Sequence, residues 1–77
     1  MSHLSETIKA CDKCFEEAKK LEKQYKAAKS PQDKEKLKKM AEAAKKMGVA
    51  YYNMIDSAKE KDKKEMLDIC DSIIGGK

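Results

Sequence analysis

The chain has 77 residues, of which 42% are charged and 40% are apolar, with three glycines and one proline. That length holds one domain, and this composition is typical of long helices and excludes a sandwich, a barrel or a disordered tail. All 18 basic residues are lysine. The chain therefore lacks arginine, whose guanidinium group makes the usual two-hydrogen-bond contact with guanine. For this reason a net charge of +4 does not indicate sequence-specific nucleic-acid binding. The sequence therefore predicts a single all-α domain over residues 1–77.

The amino-terminal segment "MSHLSETIKACDK" lacks the apolar stretch of a signal peptide, and the longest apolar or glycine run is "MGVAYY". We expect neither an export signal nor a membrane span. The cysteine count is three, an odd number, which predicts reduced thiols in a cytoplasmic setting and no disulfide framework.

The first element is a predicted helix over residues 3–29. Its apolar residues recur every three or four positions, at Leu4, Ile8, Cys11, Phe15, Ala18, Leu21, Tyr25 and Ala28. The segment "KSPQDKEKL" ends it, because Pro31 cannot lie in a helix interior. Proline suits the first position of a new helix, and Ser30 before it is a good N-cap.

The second predicted helix covers residues 31–58, and Gly48 within it permits two interpretations. The segment "AAKKMGV" resembles a helix end, with lysines in the last turn and glycine after them. The heptad register nevertheless continues across Gly48 without a phase shift, so we favour one continuous helix. A glycine on the buried stripe would then allow close approach of another helix, at a cost of about 1 kcal/mol in helix propensity.

The third predicted helix covers residues 62–74. Asp62 and Glu65 have the spacing of a capping box, and Gly75 and Gly76 follow the last apolar residues. The first two helices have matching lengths and predict an antiparallel hairpin, over whose open end the third helix folds. The predicted fold is a small three-helix bundle.

The segment "MGVAYYNMI" is apolar on nearly every side, which predicts that the second helix has two neighbours there. Met47, Tyr51, Met54 and Ile55 are expected to face the first helix, and Val49, Tyr52 and Ala50 the third helix or a second protein. The predicted partner-binding face comprises Val49, Tyr52, Met66, Ile73 and Ile74. The expected function is non-enzymatic association with another protein or, since the core is thin, with a second copy in a homodimer.

The three cysteines support an alternative from another functional class. On the predicted bundle Cys11, Cys14 and Cys70 lie at similar heights, with Met47 or Met54 nearby. Three thiolates and a thioether would bind a soft ion such as Cu(I) in a metal carrier or sensor, and three thiolates with His3 would bind Zn. The simpler interpretation is that the cysteines pack as small apolar residues.

No catalytic constellation is visible in the sequence. His3 is the only histidine, and there is no phosphate-binding glycine loop. Residues 18–50 hold eleven lysines against four acids, a local charge of +7. A polyanion could therefore dock on the basic tip, which comprises Lys26, Lys29, Lys34, Lys36 and Lys38.

Overall fold

The computed structural model describes residues 3–55 and 59–75. It contains α1 (His3–Ala27), α2 (Pro31–Asn53) and α3 (Glu60–Ile74). All three helices pack against one another, which confirms the predicted all-α three-helix bundle. Within the described ranges, no helix combines the length and apolar character needed to cross the hydrocarbon core of a bilayer.

The turn between α1 and α2 follows from local sequence signals. Ser30 is the N-cap of α2 with extended backbone angles, φ −99° and ψ 147°, and its Oγ accepts a hydrogen bond of 3.1 Å from the Asp33 amide. Pro31 occupies the first turn, where no amide hydrogen is needed. Both predicted roles are confirmed, although α1 ends at Ala27, two residues before the predicted end.

Gly48 lies inside α2, so the prediction of a continuous helix is confirmed. A Cβ placed on Gly48 would lie 3.0 Å from the Sδ of Met66 and 3.7 Å from the Cβ of Cys14. Met66 belongs to α3 and Cys14 to α1. The missing side chain therefore leaves the space in which the three helices converge.

The predicted end of α2 at residue 58 is wrong, because the helix ends at Asn53. The amides of Met54 and Ile55 donate to carbonyls three residues back, at 3.0 and 3.3 Å, which tightens the last turn. Ile55 is buried immediately afterwards, so the chain turns toward the core there. Residues 56–58 lie outside the described ranges.

The predicted capping box at Asp62 and Glu65 is also wrong. Helix α3 begins at Glu60 with Lys59 as N-cap, and Lys59 makes no side-chain capping bond. The Lys59 ammonium lies 3.2 Å from Asp12 on α1 and 3.7 Å from Asp62. The Lys59–Asp12 pair joins the start of α3 to α1, the Lys59–Asp62 pair is local to α3, and the helix starts two residues earlier than predicted.

Gly75 ends α3 as predicted, and its amide donates to the carbonyl of Asp71 at 2.8 Å.

The core runs along the axis of the bundle, and all three helices contribute residues to it. The buried apolar residues are Cys11, Cys14, Ala18, Leu21, Tyr25, Ala41, Ala44, Tyr52, Ile55, Met66, Cys70 and Ile73.

Candidate functional site

The predicted partner-binding face divides into buried and accessible residues. Tyr52, Met66 and Ile73 have 3%, 0% and 1% of their surface exposed, so they are core residues and are not available to a partner. Met66 fills the space beside Gly48, where α3 approaches α2. The five predicted residues therefore do not form one accessible surface.

The Tyr52 side chain is buried and reaches α1, so it does not contact a second protein. Its hydroxyl donates to the carbonyl oxygen of Cys11 at 3.3 Å in a buried hydrogen bond. Burial, together with the nearby Cys11 thiol, raises the pKa of Tyr52 to about 12. The phenol is thus held in its neutral form.

The other two predicted residues, Val49 and Ile74, are half-buried and line a cleft of about 490 Å³ between α2 and α3. The cleft is bordered by Glu42, Lys45 and Lys46. Lys45 donates to Asp71 at 2.6 Å, and this hydrogen bond raises the pKa of the lysine. An ion pair between α2 and α3 therefore occupies the rim of the cleft.

Met47 and Met54 do not pack against α1 as predicted but are 54% and 66% exposed. Met40 is 44% exposed, and the two alanines between these methionines are exposed as well. The five residues form a single stripe, called the α2 seam below, which comprises Met40, Ala43, Met47, Ala50 and Met54. Their spacings are three, four, three and four residues, which is the a/d pattern of a helix that packs on another helix.

The α2 seam lies about a third of a helical turn away from the buried stripe of α2, at 3.6 residues per turn. One flank is polar and carries the exposed residues Lys39, Lys46 and Asn53. The opposite flank carries Ala44 and the half-buried Tyr51. The seam is thus bounded by lysine on one side and by apolar residues on the side nearer α1.

A groove of about 560 Å³ lies beside the seam, between α1 and α2. Its apolar lining comes from Cys14, Ala44 and Met47. Its charged lining comes from α1 and comprises Lys13, Glu16, Glu17 and Lys20. With two lysines and two glutamates, this lining has no net charge, so an uncharged side chain fits the groove best.

None of the five seam residues was in the predicted partner-binding face, although Ala50 was expected to face α3 or a second protein. The signal was present in the sequence, since α2 has more apolar positions than one buried stripe requires. Periodicity alone does not show which of two stripes another helix covers. The folded chain shows that the seam is the uncovered stripe.

The three cysteines are free thiols and all are buried. Burial raises the pKa of each thiol above its ordinary value. In the part of the chain that the structure describes, no three His, Cys, Asp or Glu side chains are grouped to hold a metal ion, so Cys11, Cys14 and Cys70 do not form the expected three-thiol site.

A different sulfur atom lies beside Cys70. The Cys70 Sγ contacts the Sδ of Met66 at 3.8 Å, whereas Met47 and Met54, the methionines expected there, are exposed on α2. Cys14 approaches from α1, next to the space at Gly48 that Met66 also borders. The sulfur atoms of the core thus come from α1 and α3.

The lysines of the predicted basic tip surround the turn between α1 and α2. Lys26, Lys29, Lys34 and Lys36 are exposed, and Lys38 is half-buried. The Lys34 ammonium lies 5.9 Å from the ring centre of Tyr25. These five lysines form a solvated surface, as is usual for a group of lysines on a helical protein.

Comparison with known proteins gives no relative: no protein-family model, no curated protein and no solved structure matches this chain. The function of the chain is therefore inferred from the geometry of the described residues. That geometry defines a small three-helix bundle in which the α2 seam is exposed beside an apolar groove.

Proposed function

We propose that this chain is a non-enzymatic helical interaction module that self-associates through the α2 seam. The observation that supports it is a set of five exposed apolar side chains at heptad spacing, four on α2 and one on its C-cap, Met54. Exposed apolar stripes on small domains mark interaction sites. The three reduced, buried thiols favour a reducing intracellular compartment for this module.

The small core of this chain makes additional apolar contact with a second copy favourable. A chain of 77 residues buries about 60% of its unfolded surface, so its core is small and additional apolar contact contributes a large share of stability. Covering a half-exposed methionine contributes about 1 kcal/mol. Six methionines from two copies contribute about 6 kcal/mol, which is only slightly more than the cost of association at its lower bound of about 4 kcal/mol. The expected dimer is therefore weak and depends on concentration.

The first test places a charge at the centre of the seam. In Met47→Lys an ammonium group would have to be buried at the interface, so the dissociation constant should rise at least tenfold, about 1.4 kcal/mol. Light scattering and sedimentation over a range of concentrations measure the association. Circular dichroism should show unchanged helix content, because Met47 is outside the core.

Gln24→Lys is the matched control, because Gln24 is exposed on α1 and the substitution adds the same charge away from the seam. This variant should associate like the parent chain. A parent chain that remains monomeric at all concentrations would refute self-association, and equal weakening by both substitutions would refute the role of the seam.

A second candidate function is soft-metal binding by the sulfur atoms of Cys14, Met66 and Cys70. The observation that favours it is the 3.8 Å contact between the Met66 and Cys70 sulfurs. Two sulfurs bound to one ion at about 2.3 Å each, in a trigonal arrangement, lie about 4 Å apart. Thiolate and thioether ligands select Cu(I), so Cu(I) is the ion that this pair fits, with Cys14 as third ligand.

Titration with Cu(I) under reducing conditions tests this candidate. Binding should raise the melting temperature and release protons, because the buried thiols are protonated before the ion enters. Met66→Leu keeps the volume but removes the thioether and should weaken binding, whereas Met47→Leu removes an exposed thioether and should not. An unchanged melting temperature in the parent chain would dismiss the candidate.

A further inference from the structure

We propose that two copies of the chain pack α2 against α2 in antiparallel orientation, in one register that sets Met47 of each copy against Ala50 of the other. This inference rests on the proposed self-association and specifies its geometry. It follows from the order of large and small residues in the α2 seam and from the charges on its polar flank.

The alternation of methionine and alanine selects the antiparallel orientation. All a positions of the seam are methionine and both d positions are alanine. In a parallel pair, each a residue meets its own copy, so layers of two methionines would alternate with layers of two alanines. The methionine layers would hold the helices apart and leave voids at the alanine layers. In an antiparallel pair, a meets d, so four successive layers each combine one methionine with one alanine and fill evenly, and one methionine of each copy lies beyond them.

Two antiparallel registers keep methionine against alanine, and the polar flank distinguishes them. In the first register Met40 faces Ala50, Met47 faces Ala43, and the Lys46 side chains of the two copies meet across the twofold axis. In the second register, shifted by one heptad, Lys46 of one copy meets Asn53 of the other. Like charges directly opposite each other destabilise a helix pair, so the second register is favoured.

The apolar flank of the seam favours the same register. The second register sets Tyr51 of one copy over Ala44 of the other, which again combines a large and a small residue. Ala44 lines the groove of about 560 Å³ whose charged lining has no net charge. Tyr51 of the second copy therefore lies over the groove and brings no acidic or basic side chain into it. The twofold axis of this dimer passes between Gly48 and Val49.

Cysteine crosslinking between separately prepared variants tests the register. The variants are Ala43→Cys, Met47→Cys and Ala50→Cys, each mixed with one other or oxidised alone, and mass spectrometry identifies the joined cysteines. A disulfide forms only where the Cα atoms lie within about 7 Å. The parent chain is the control, since its own cysteines are buried.

The proposed register predicts that Met47→Cys mixed with Ala50→Cys gives the crosslink between positions 47 and 50, about tenfold faster than either variant alone. Preferential linkage of Ala43→Cys to Met47→Cys would show the first register and overturn the inference. Efficient linkage of Met47→Cys to itself would show a parallel pair and also overturn it. Light scattering on the same samples separates the two proposals: dimers with a different linkage leave self-association intact, whereas monomers throughout refute both.

Discussion

Replacing Gly48 with leucine is expected to lower the free energy of unfolding by about 3 kcal/mol or more, since overpacking a filled site costs about 1–3 kcal/mol even for smaller additions. The space beside Gly48 is taken by the buried Met66 side chain and bordered by Cys14. A domain of this size has a total stability of about 4–12 kcal/mol, so this loss is a large fraction of it. Urea unfolding followed by circular dichroism measures the change. The control Ala27→Leu, at an exposed site on α1, should change stability by less than about 0.5 kcal/mol.

A double-mutant cycle with Met66 identifies the cause of that loss. Met66→Ala alone should cost about 2–5 kcal/mol, because it leaves a cavity where α3 meets α2. Gly48→Ala in the parent chain gains about 1 kcal/mol in helix propensity, but its Cβ conflicts with Met66. In the Met66→Ala background that conflict is gone, so Gly48→Ala should there be stabilising by about 1 kcal/mol. Additive effects of the two substitutions would show that Gly48 is not a point of close approach.

Local signals in the sequence were enough to predict one turn of the chain but not the other. Ser30 and Pro31 act within a few residues of each other, so the start of α2 could be predicted from them alone. The second turn depends on long-range contacts that no local pattern shows. Ile55 enters the core, and Lys59 pairs with Asp12, 47 residues earlier in the chain.

The same distinction applies to the candidate site. Helical periodicity gives the direction of each side chain around α2, and it correctly placed Gly48 on a buried stripe. It does not show which directions the other helices cover. Met47 and Met54 were therefore expected to pack against α1 but are exposed, and Tyr52, expected in the partner-binding face, is buried with its hydroxyl on α1. The α2 seam could be recognised only once the packing of α1 and α3 was known.

The second large effect expected is a loss of stability at alkaline pH. Burial raises the pKa of the Cys11, Cys14 and Cys70 thiols above 9.0 and that of Tyr52 to about 12. These groups stay protonated in the fold at pH values where they ionise in the unfolded chain. The unfolded chain then holds fewer protons, so the free energy of unfolding falls as pH rises. The three thiols lower the free energy of unfolding from about pH 9 upward, and Tyr52 lowers it between about pH 10 and 12.

The contribution of Tyr52 can be isolated by substitution. Its pKa of about 12 lies well above the ordinary value of 10.0, which corresponds to a loss of about 3 kcal/mol across that interval. Tyr52→Phe should cost about 1 kcal/mol at neutral pH, through loss of the hydrogen bond to Cys11, but should remove this part of the alkaline loss. Tyr51→Phe is the matched control, because it removes the neighbouring phenol and leaves that hydrogen bond in place. Thermal melts with a reducing agent, from neutral pH to pH 12, measure the profile. Identical alkaline profiles for the two variants would contradict the role of Tyr52, because only its phenol is buried against the carbonyl of Cys11.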